Sequence, residues 1–122
     1  EQAIQKIREL GQRARERNVS VLIYPEGTRA RAGELQPFKP GGALALLETA
    51  PKIDIVPMAV DNSWKLLRHN LLPVPFGLEL RVWIGDPIAR HPGEDPLALI
   101  TEVRSGIEKT LDRWRAGENA KD

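Results

Sequence analysis

Charged residues and glycines cluster in one stretch of the chain whose composition suits a phosphate group. The cluster consists of Glu26, Gly27, Thr28, Arg29, Arg31, Lys39, Gly41 and Gly42. An arginine guanidinium presents a planar fork that matches phosphate oxygens, and a lysine adds a point charge. A helix that opens at the last two glycines would add unpaired N–H groups and the positive end of its dipole. These residues therefore predict a site for a phosphorylated ligand.

Glu26 restricts the kind of phosphorylated ligand that this stretch could bind. A carboxylate repels a phosphate, so we expect Glu26 to face either a hydroxyl of the same ligand or a neighbouring arginine. A phosphate beside a hydroxyl is typical of a sugar phosphate or a glycerol phosphate. The spacing matches neither a Walker loop nor a dinucleotide fingerprint. The alternative is an ordinary turn with solvated charges, followed by glycines that only begin a helix.

The elements on either side of the cluster predict where it lies. Residues 2–16 have apolar side chains at helical spacing, and Asn18 is the predicted end of that helix. Val19 to Tyr24 predicts a strand covered on both faces. The loop 25–42 follows directly, at the end of a strand where open α/β sheets bind ligands. A loop of this length between ordered elements is usually functional.

The rest of the chain reads as strands alternating with helices. The next predicted elements are a helix over 43–49 closed by Pro51, a strand over 53–60 and an irregular stretch over 61–77. A further strand is predicted where Leu78, Leu80, Val82 and Ile84 alternate with Glu79, Arg81 and Trp83. The last predicted element is a helix that starts at Asp95 and Pro96 and buries Ile100, Val103, Ile107, Leu111 and Trp114. This order predicts an α/β fold, a mixed sheet flanked by helices. Three strands make a thin sheet, so we expect partner strands upstream of Glu1 and an incomplete domain. Residues 1–116 would form its C-terminal part and 117–122 a polar tail.

Composition narrows the classes of function. The chain of 122 residues has 18 basic and 17 acidic residues, a net charge of +1, which is too small for non-specific binding of nucleic acid. The absence of cysteine excludes disulfides, thiolate metal sites and a cysteine nucleophile within this sequence. No apolar run reaches the roughly 20 residues that cross a bilayer.

The sequence resembles a known family at several points along its length. The stretch VLIYPEGTRARAGELQPFKPGGALALLE resembles the third signature block of the lysophosphatidic acid acyltransferases, whose core Pro-Glu-Gly-Thr-Arg is matched by Pro25 to Arg29. IVPMAVDNSW resembles the fourth block, and the residues from Ile84 to Pro87 resemble a late Gly-acid-Pro pattern. The resemblance covers roughly residues 1–115, in family order.

The resemblance implies a glycerolipid acyltransferase-like fold, a reaction and roles for residues. Such enzymes move a fatty acyl group from a thioester, on coenzyme A or acyl carrier protein, to 1-acyl-glycerol 3-phosphate, giving phosphatidic acid without a metal or cofactor. By position, Arg29 would bind the phosphate of the lyso-lipid, Glu26 would contact the glycerol, and Gly27 and Thr28 would shape the turn. Lys39 would be a second phosphate contact. The family also implies a membrane surface as partner, at the cytoplasmic face.

The family's catalytic pair, a histidine with an aspartate five positions later, has no counterpart in this sequence. The residues five positions after His69 and His91 are Val74 and Pro96, so surface roles are predicted for both histidines. We expect the pair to lie upstream, which would leave the isolated chain inactive. Two alternatives stay open: a non-catalytic module that binds glycerophosphate lipids, and a plain α/β domain whose loop only resembles the block.

Trp64 and the apolar stretch 71–78 allow two interpretations. They could line an acyl channel or touch a membrane, but a packed apolar loop is the favoured interpretation. Trp83 and Trp114 lie on strand and helix patterns and are predicted to be packing residues.

Overall fold

The fold was analysed in a computed structural model, which describes residues 2–27, 33–67 and 76–121. Within these ranges the elements are, in chain order, α1 (Gln2–Arg17), α2 (Pro40–Thr49), β1 (Met58–Asp61), α3 (Ser63–Leu67), β2 (Arg81–Ile84) and α4 (Pro96–Lys121). Mixed α/β content is therefore confirmed. No helix in the described ranges combines the length and the apolarity needed to cross a membrane.

Helix α1 confirms the first predicted element and ends where the sequence indicates. Asn18 has a positive φ of 53°, the left-handed conformation that commonly ends a helix, and the N–H of Val19 bonds to Ala14 O at 3.2 Å. The helical spacing predicts a buried stripe of Ile4, Ile7, Leu10 and Ala14, and Ala14 is indeed buried. Leu10, however, is 44% exposed, and Gly11 is buried in its place. Small residues at this face bring α1 very close to its neighbour.

Helix α2 packs against α1 and is held at its C-terminal end by a distant arginine. It begins at Pro40, earlier than the predicted 43, because proline suits the first helical position. At its other end Arg90 donates from Nη2 to Leu47 O at 3.3 Å and from Nη1 to Ala50 O at 3.1 Å. These bonds satisfy carbonyls that a helix end leaves without intrahelical partners.

The sheet in the described ranges is smaller than predicted and has a different topology. β1 and β2 pair antiparallel, with Met58 opposite Ile84 and Asp61 opposite Arg81, so the prediction of a mixed sheet is wrong for this part of the chain. The predicted strand 19–24 forms no ladder with any described residue. The strand predicted over 53–60 is regular only from Met58, because Pro57 has no N–H to donate to a ladder.

The alternation in the sequence leaves open which face of this sheet is buried, and the structure shows which one is covered. Ala59 and Asp61 are each 2% exposed, whereas Val82 is 57% and Ile84 is 64% exposed. Trp83 packs on the core cluster instead. The apolar alternation from Leu78 to Ile84 therefore marks the uncovered face of the described sheet, and the predicted helices cover one face only.

Helix α4 supplies the core and confirms the predicted start signal. The N–H of Leu97 bonds to Asp95 Oδ1 at 3.1 Å, a side-chain cap ahead of Pro96. The buried cluster consists of Ala59, Ile107 and Leu111, with Leu35, Phe38, Trp83, Val103 and Trp114 packed against it. Packing roles for both tryptophans are thereby confirmed. The helix continues past residue 116 to Lys121, so the polar tail begins inside a helix.

The stretch 61–77, predicted to be irregular, contains the short helix α3. Asn62 precedes it with a φ of 70°, and Asn62 Nδ2 donates to Glu79 O at 2.8 Å. The left-handed residue and this bond turn the chain from β1 into α3. Residues 68–75, which include most of the apolar stretch 71–78, lie outside the described ranges.

Gly11→Ala should destabilise the protein because α1 and α2 touch there. A Cβ at position 11 would lie 1.9 Å from Thr49 Oγ1 and 2.9 Å from Thr49 Cβ, so the helices must move apart. This should lower the free energy of unfolding by about 1–3 kcal/mol. Gly117→Ala is the matched control, since nothing lies within 4 Å of its Cβ and alanine should add up to about 1 kcal/mol of helix stability. Urea unfolding measures both. Equal effects of the two variants would contradict close packing at Gly11.

Glu94→Gln should make the free energy of unfolding depend less on pH in the acidic range. The Arg90 side chain and the His91 N–H both bond to this carboxylate and hold its pKa below the ordinary value of 4.5. Because the folded pKa lies below the unfolded pKa, the carboxylate stabilises the fold above about pH 4.5, and this stabilisation is lost as the pH falls through the folded value. Unfolding free energies measured from pH 7 to pH 3 should fall less steeply for Glu94→Gln. Glu102→Gln, at an exposed position on α4, should follow the parent curve.

Candidate functional site

A tight turn places Gly27 beside Lys39. The N–H of Gly27 bonds to Tyr24 O at 3.0 Å, and Gly27 has a φ of 68°, where a side chain is strained. The N–H of Lys39 bonds to Pro25 O at 2.7 Å, which joins the two ends of the loop. A Cβ on Gly27 would lie 3.0 Å from Lys39 Cδ and 3.3 Å from Nζ. The lysine side chain therefore lies across the glycine, and both belong to one surface.

Glu26 is held by the backbone of the same loop. Its Oε2 accepts a hydrogen bond from the N–H of Gln36 at 2.7 Å. The sequence predicted a ligand hydroxyl or a neighbouring arginine as the partner; within the described residues, the partner of Oε2 is a main-chain amide. Oε1 makes no hydrogen bond in the described ranges.

The N-terminus of α2 completes the surface beside Lys39. Lys39 is the N-cap residue, with an extended backbone and no side-chain capping bond. A helix leaves its first N–H groups without intrahelical partners, and Gly41 and Gly42 present theirs without bulky side chains. Gly42 also lies against α1, since a Cβ there would be 3.0 Å from Ile7 Cδ1. The positive helix end and the lysine charge thus point to anion binding.

The predicted site residues divide into two groups. Glu26, Gly27 and Lys39 are brought together by the turn and the loop closure. Thr28 and Arg29, with Arg31, lie in the segment 28–32, outside the described residues. Their predicted roles remain predictions.

The far side of the loop is anchored at Gly33 by residues from two other elements. Arg115 Nη2, on α4, donates to Gly33 O and also to Asp61 Oδ1, the latter at 3.1 Å. Trp64 covers Gly33 so closely that a Cβ there would lie 2.5 Å from the indole Nε1. Trp64 therefore packs against the loop at Gly33 and also lines the neighbouring cavity, so both interpretations of this residue stay open.

A cavity of about 780 Å³ connects the loop with the core. Its walls are mostly apolar side chains from the 21–24 segment, α2, residues 53–60 and α4. The charged residues among its lining are Glu26, Glu34, Asp54, Asp61, Arg90 and Arg115. Volume and character suit an organic ligand with an apolar part, because such pockets measure about 300–1,000 Å³ and combine apolar walls with few polar groups.

Asp61 and Arg115 are cavity residues that sequence reasoning missed. Asp61 carried a signal, since it is an acidic residue directly after an apolar strand, at a sheet end where ligands often bind. Arg115 carried no sequence signal of a role in the cavity, because a charged residue in a long amphipathic helix usually lies on a solvated face.

The structure supports the surface assignment of one histidine. His91 is exposed in the turn before α4, and its main-chain N–H bonds to Glu94 Oε2 at 2.8 Å. His69 lies outside the described ranges. Within those ranges no group of three His, Cys, Asp or Glu side chains could hold a metal ion.

Comparison with known proteins gives a consistent set of relatives. The family model described as Acyltransferase matches residues 1–61. The chain is 39% identical over 72 residues to a 1-acyl-sn-glycerol-3-phosphate acyltransferase of Cocos nucifera, covering 59% of this chain and 23% of that protein. It is 36% identical over 75 residues to the protein of that name from Limnanthes douglasii, covering 61% and 27%. A glycerol-3-phosphate acyltransferase 3 of Gallus gallus is 28% identical over 98 residues, covering 73% and 22%.

These matches cover only a fraction of each relative. The chain spans about a quarter of the length of the curated relatives it matches. No solved structure matches it significantly.

Gly33→Ala should destabilise the protein more than a matched change in another left-handed glycine. Alanine at φ 81° costs roughly 1–2 kcal/mol, and the overlap with Trp64 adds about 1–3 kcal/mol. Gly93→Ala is the control, because Gly93 has a φ of 78° but nothing within 4 Å of its Cβ. Urea unfolding measures the difference, and NMR should show the Trp64 indole N–H signal moving in the Gly33 variant alone. Matching losses of stability would show that Trp64 does not press on the loop.

Proposed function

Because this chain belongs to the acyltransferase family, we propose that its protein transfers a fatty acyl group to the free hydroxyl of 1-acyl-glycerol 3-phosphate. The donor is an acyl thioester on coenzyme A or acyl carrier protein, and the product is phosphatidic acid. Relatives that carry the name 1-acyl-sn-glycerol-3-phosphate acyltransferase support this acceptor. The chain contributes the site that binds the acceptor's phosphate.

One observation supports the phosphate site above all others. The Gly27 turn, the Lys39 side chain and the open N-terminus of α2 meet at one surface. Each supplies a different attraction for an anion: close backbone approach, a full positive charge and unpaired N–H groups. No ion pair of Lys39 is present in the described ranges, so its charge is free for a ligand. Arg29, two residues after Gly27, would add the bidentate contact.

The remaining parts of the acceptor fit the neighbouring groups. Glu26 Oε1 would accept a hydrogen bond from the glycerol part, while Oε2 keeps its bond to the Gln36 N–H. The apolar walls of the cavity would hold the acyl chain of the lyso-lipid. Because such acceptors reside in membranes, we propose that the protein works at the cytoplasmic face of the cell membrane.

Lys39→Ala and Arg29→Ala, assayed in the polypeptide that carries the catalytic block, test the phosphate site. A hydrogen bond to a charged group contributes about 1.5–3 kcal/mol, so each variant should raise the acceptor KM about tenfold or more. The KM for the acyl donor should stay unchanged. Lys52→Ala is the matched control, because Lys52 is an exposed lysine just beyond the other end of α2.

Two outcomes would contradict parts of the proposal. If both variants keep the acceptor KM of the parent, the phosphate does not bind at this surface. If the polypeptide binds 1-acyl-glycerol 3-phosphate through these residues but never transfers an acyl group, the protein is the non-catalytic binding module that its sequence also allows.

A further inference from the structure

The positive charge of the chain is concentrated on helix α1. This helix of 16 residues carries five basic and two acidic residues, whereas the whole chain has a net charge of only +1. Three of the basic residues, Lys6, Arg13 and Arg17, follow Leu10 or precede it at spacings of three and four residues, which places all four side chains on one face of the helix. Together these four residues form the basic strip.

The basic strip is exposed, and its cations have no protein partner in the part of the chain that the structure describes. All three cations are exposed, and Leu10 is 44% exposed. By contrast, Arg8, on the side of α1 next to α2, pairs with Glu48 at 3.2 Å. The acids of α1, Glu9 and Glu16, lie on the adjoining face and form no ion pair with the strip among the described residues. The strip therefore presents its charge to whatever lies outside the fold.

The basic strip begins beside the proposed phosphate site. A Cβ on Gly41 would lie 3.7 Å from Ile4 Cδ1, and a Cβ on Gly42 would lie 3.0 Å from Ile7 Cδ1. The N-terminal half of α1, which includes Lys6, therefore lies against the N-terminus of α2. A lyso-lipid that leaves a membrane for this site has its phosphate at the level of the lipid headgroups. The protein surface next to the site must then face those headgroups.

The chemistry of the basic strip suits an anionic membrane surface. Each lysine or arginine close to such a surface strengthens binding about fivefold, because the headgroups carry negative charge. Long basic side chains reach lipid phosphates while an apolar side chain on the same helix face enters between the headgroups. Leu10 lies among the cations in this way. An acidic protein would attract the same cations, but the membrane is favoured because the adjoining site takes a ligand that resides in one.

We propose that the basic strip of α1 lies on an anionic membrane surface and holds the phosphate site at the level of the headgroups, an inference that rests on the proposed function. Lys6, Arg13 and Arg17 bind phospholipid phosphates, and Leu10 inserts between them. The strip thereby delivers acceptors from the membrane to the site. Its side chains make no contact with the reacting groups.

Two variants of equal net charge test the strip by vesicle sedimentation. The strip variant combines Lys6→Gln and Arg13→Gln. The control variant combines Lys109→Gln and Arg113→Gln, at exposed positions on α4. Each variant loses one lysine and one arginine, and glutamine has nearly the same helix propensity as either residue. A difference between the variants therefore reports where the charge lies and not how much of it there is.

The parent chain should bind vesicles of equal parts phosphatidylcholine and phosphatidylglycerol more tightly than vesicles of phosphatidylcholine alone. The strip variant should bind the anionic vesicles about tenfold or more weakly than the parent, because two cations leave the lipid surface. The control variant should stay within about threefold of the parent, since salt screens charges farther than about 8 Å from the lipids.

Three outcomes would overturn the proposal. The first is equal affinity of the parent for anionic and neutral vesicles, and the second is an equal loss of binding in the two variants. The third is a strip variant that binds anionic vesicles like the parent but loses binding to acyl carrier protein, used as an acidic protein, because the strip would then dock a protein.

Kinetics of the polypeptide that carries the catalytic block separate this inference from the proposed function. With a short-chain acceptor present as monomers, the strip variant should keep the kcat and KM of the parent. With the acceptor in anionic vesicles, its KM should rise about tenfold. If acyl transfer occurs but the strip variant matches the parent in vesicles, the strip fails and the proposed function stands. If no transfer occurs while the strip variant alone loses vesicle binding, the proposed function fails and the membrane surface stands.

Discussion

Arg115 donates from a single nitrogen to two acceptors that belong to distant parts of the chain, and the arrangement of the site depends on this shared donor. One acceptor is Gly33 O, in the loop, and the other is Asp61 Oδ1, at the end of β1. A carboxylate that is 2% exposed needs a cation and hydrogen bonds to remain in the interior. Arg115 supplies these and so fixes the loop to the sheet. Without it, β1 would end on an uncompensated buried charge.

The sheet illustrates how a hydrophobic pattern can predict a strand without predicting which of its faces is buried. Val82 and Ile84 alternate with Arg81 and Trp83, and the alternation does predict a strand. In the described part of the fold, however, the tryptophan packs on Ile107 and Leu111, while the two branched side chains lie on the uncovered face. A tryptophan offers more apolar area to α4 than a valine does, so it decides which face turns inward. An alternation with a period of two residues cannot show which face of a strand is buried when both faces carry apolar side chains.

Local signals predicted the end of α1, the start of α4 and the turn of the site, since capping and glycine chemistry act over a few residues. Asn18, Asp95 with Pro96, and Gly27 all adopt the conformations that their types favour. Contacts between distant residues were not predictable in the same way. Nothing in the sequence places Arg115 beside Asp61, or Arg90 at the end of α2, because these bonds span 54 and 40 positions. Within the described residues the sheet is smaller than predicted for the same reason, since apolar runs do not reveal whether a partner strand lies beside them.

The contact between Gly11 and Thr49 makes two helices share one small volume. Whatever atoms are added at one position must be removed at the other, because α1 and α2 already touch through a glycine and a hydroxyl. Substitutions at the two positions are therefore expected to be coupled. Among homologous sequences, a larger residue at position 11 should occur together with a smaller residue at position 49, and this covariation would record the spacing of the two helices.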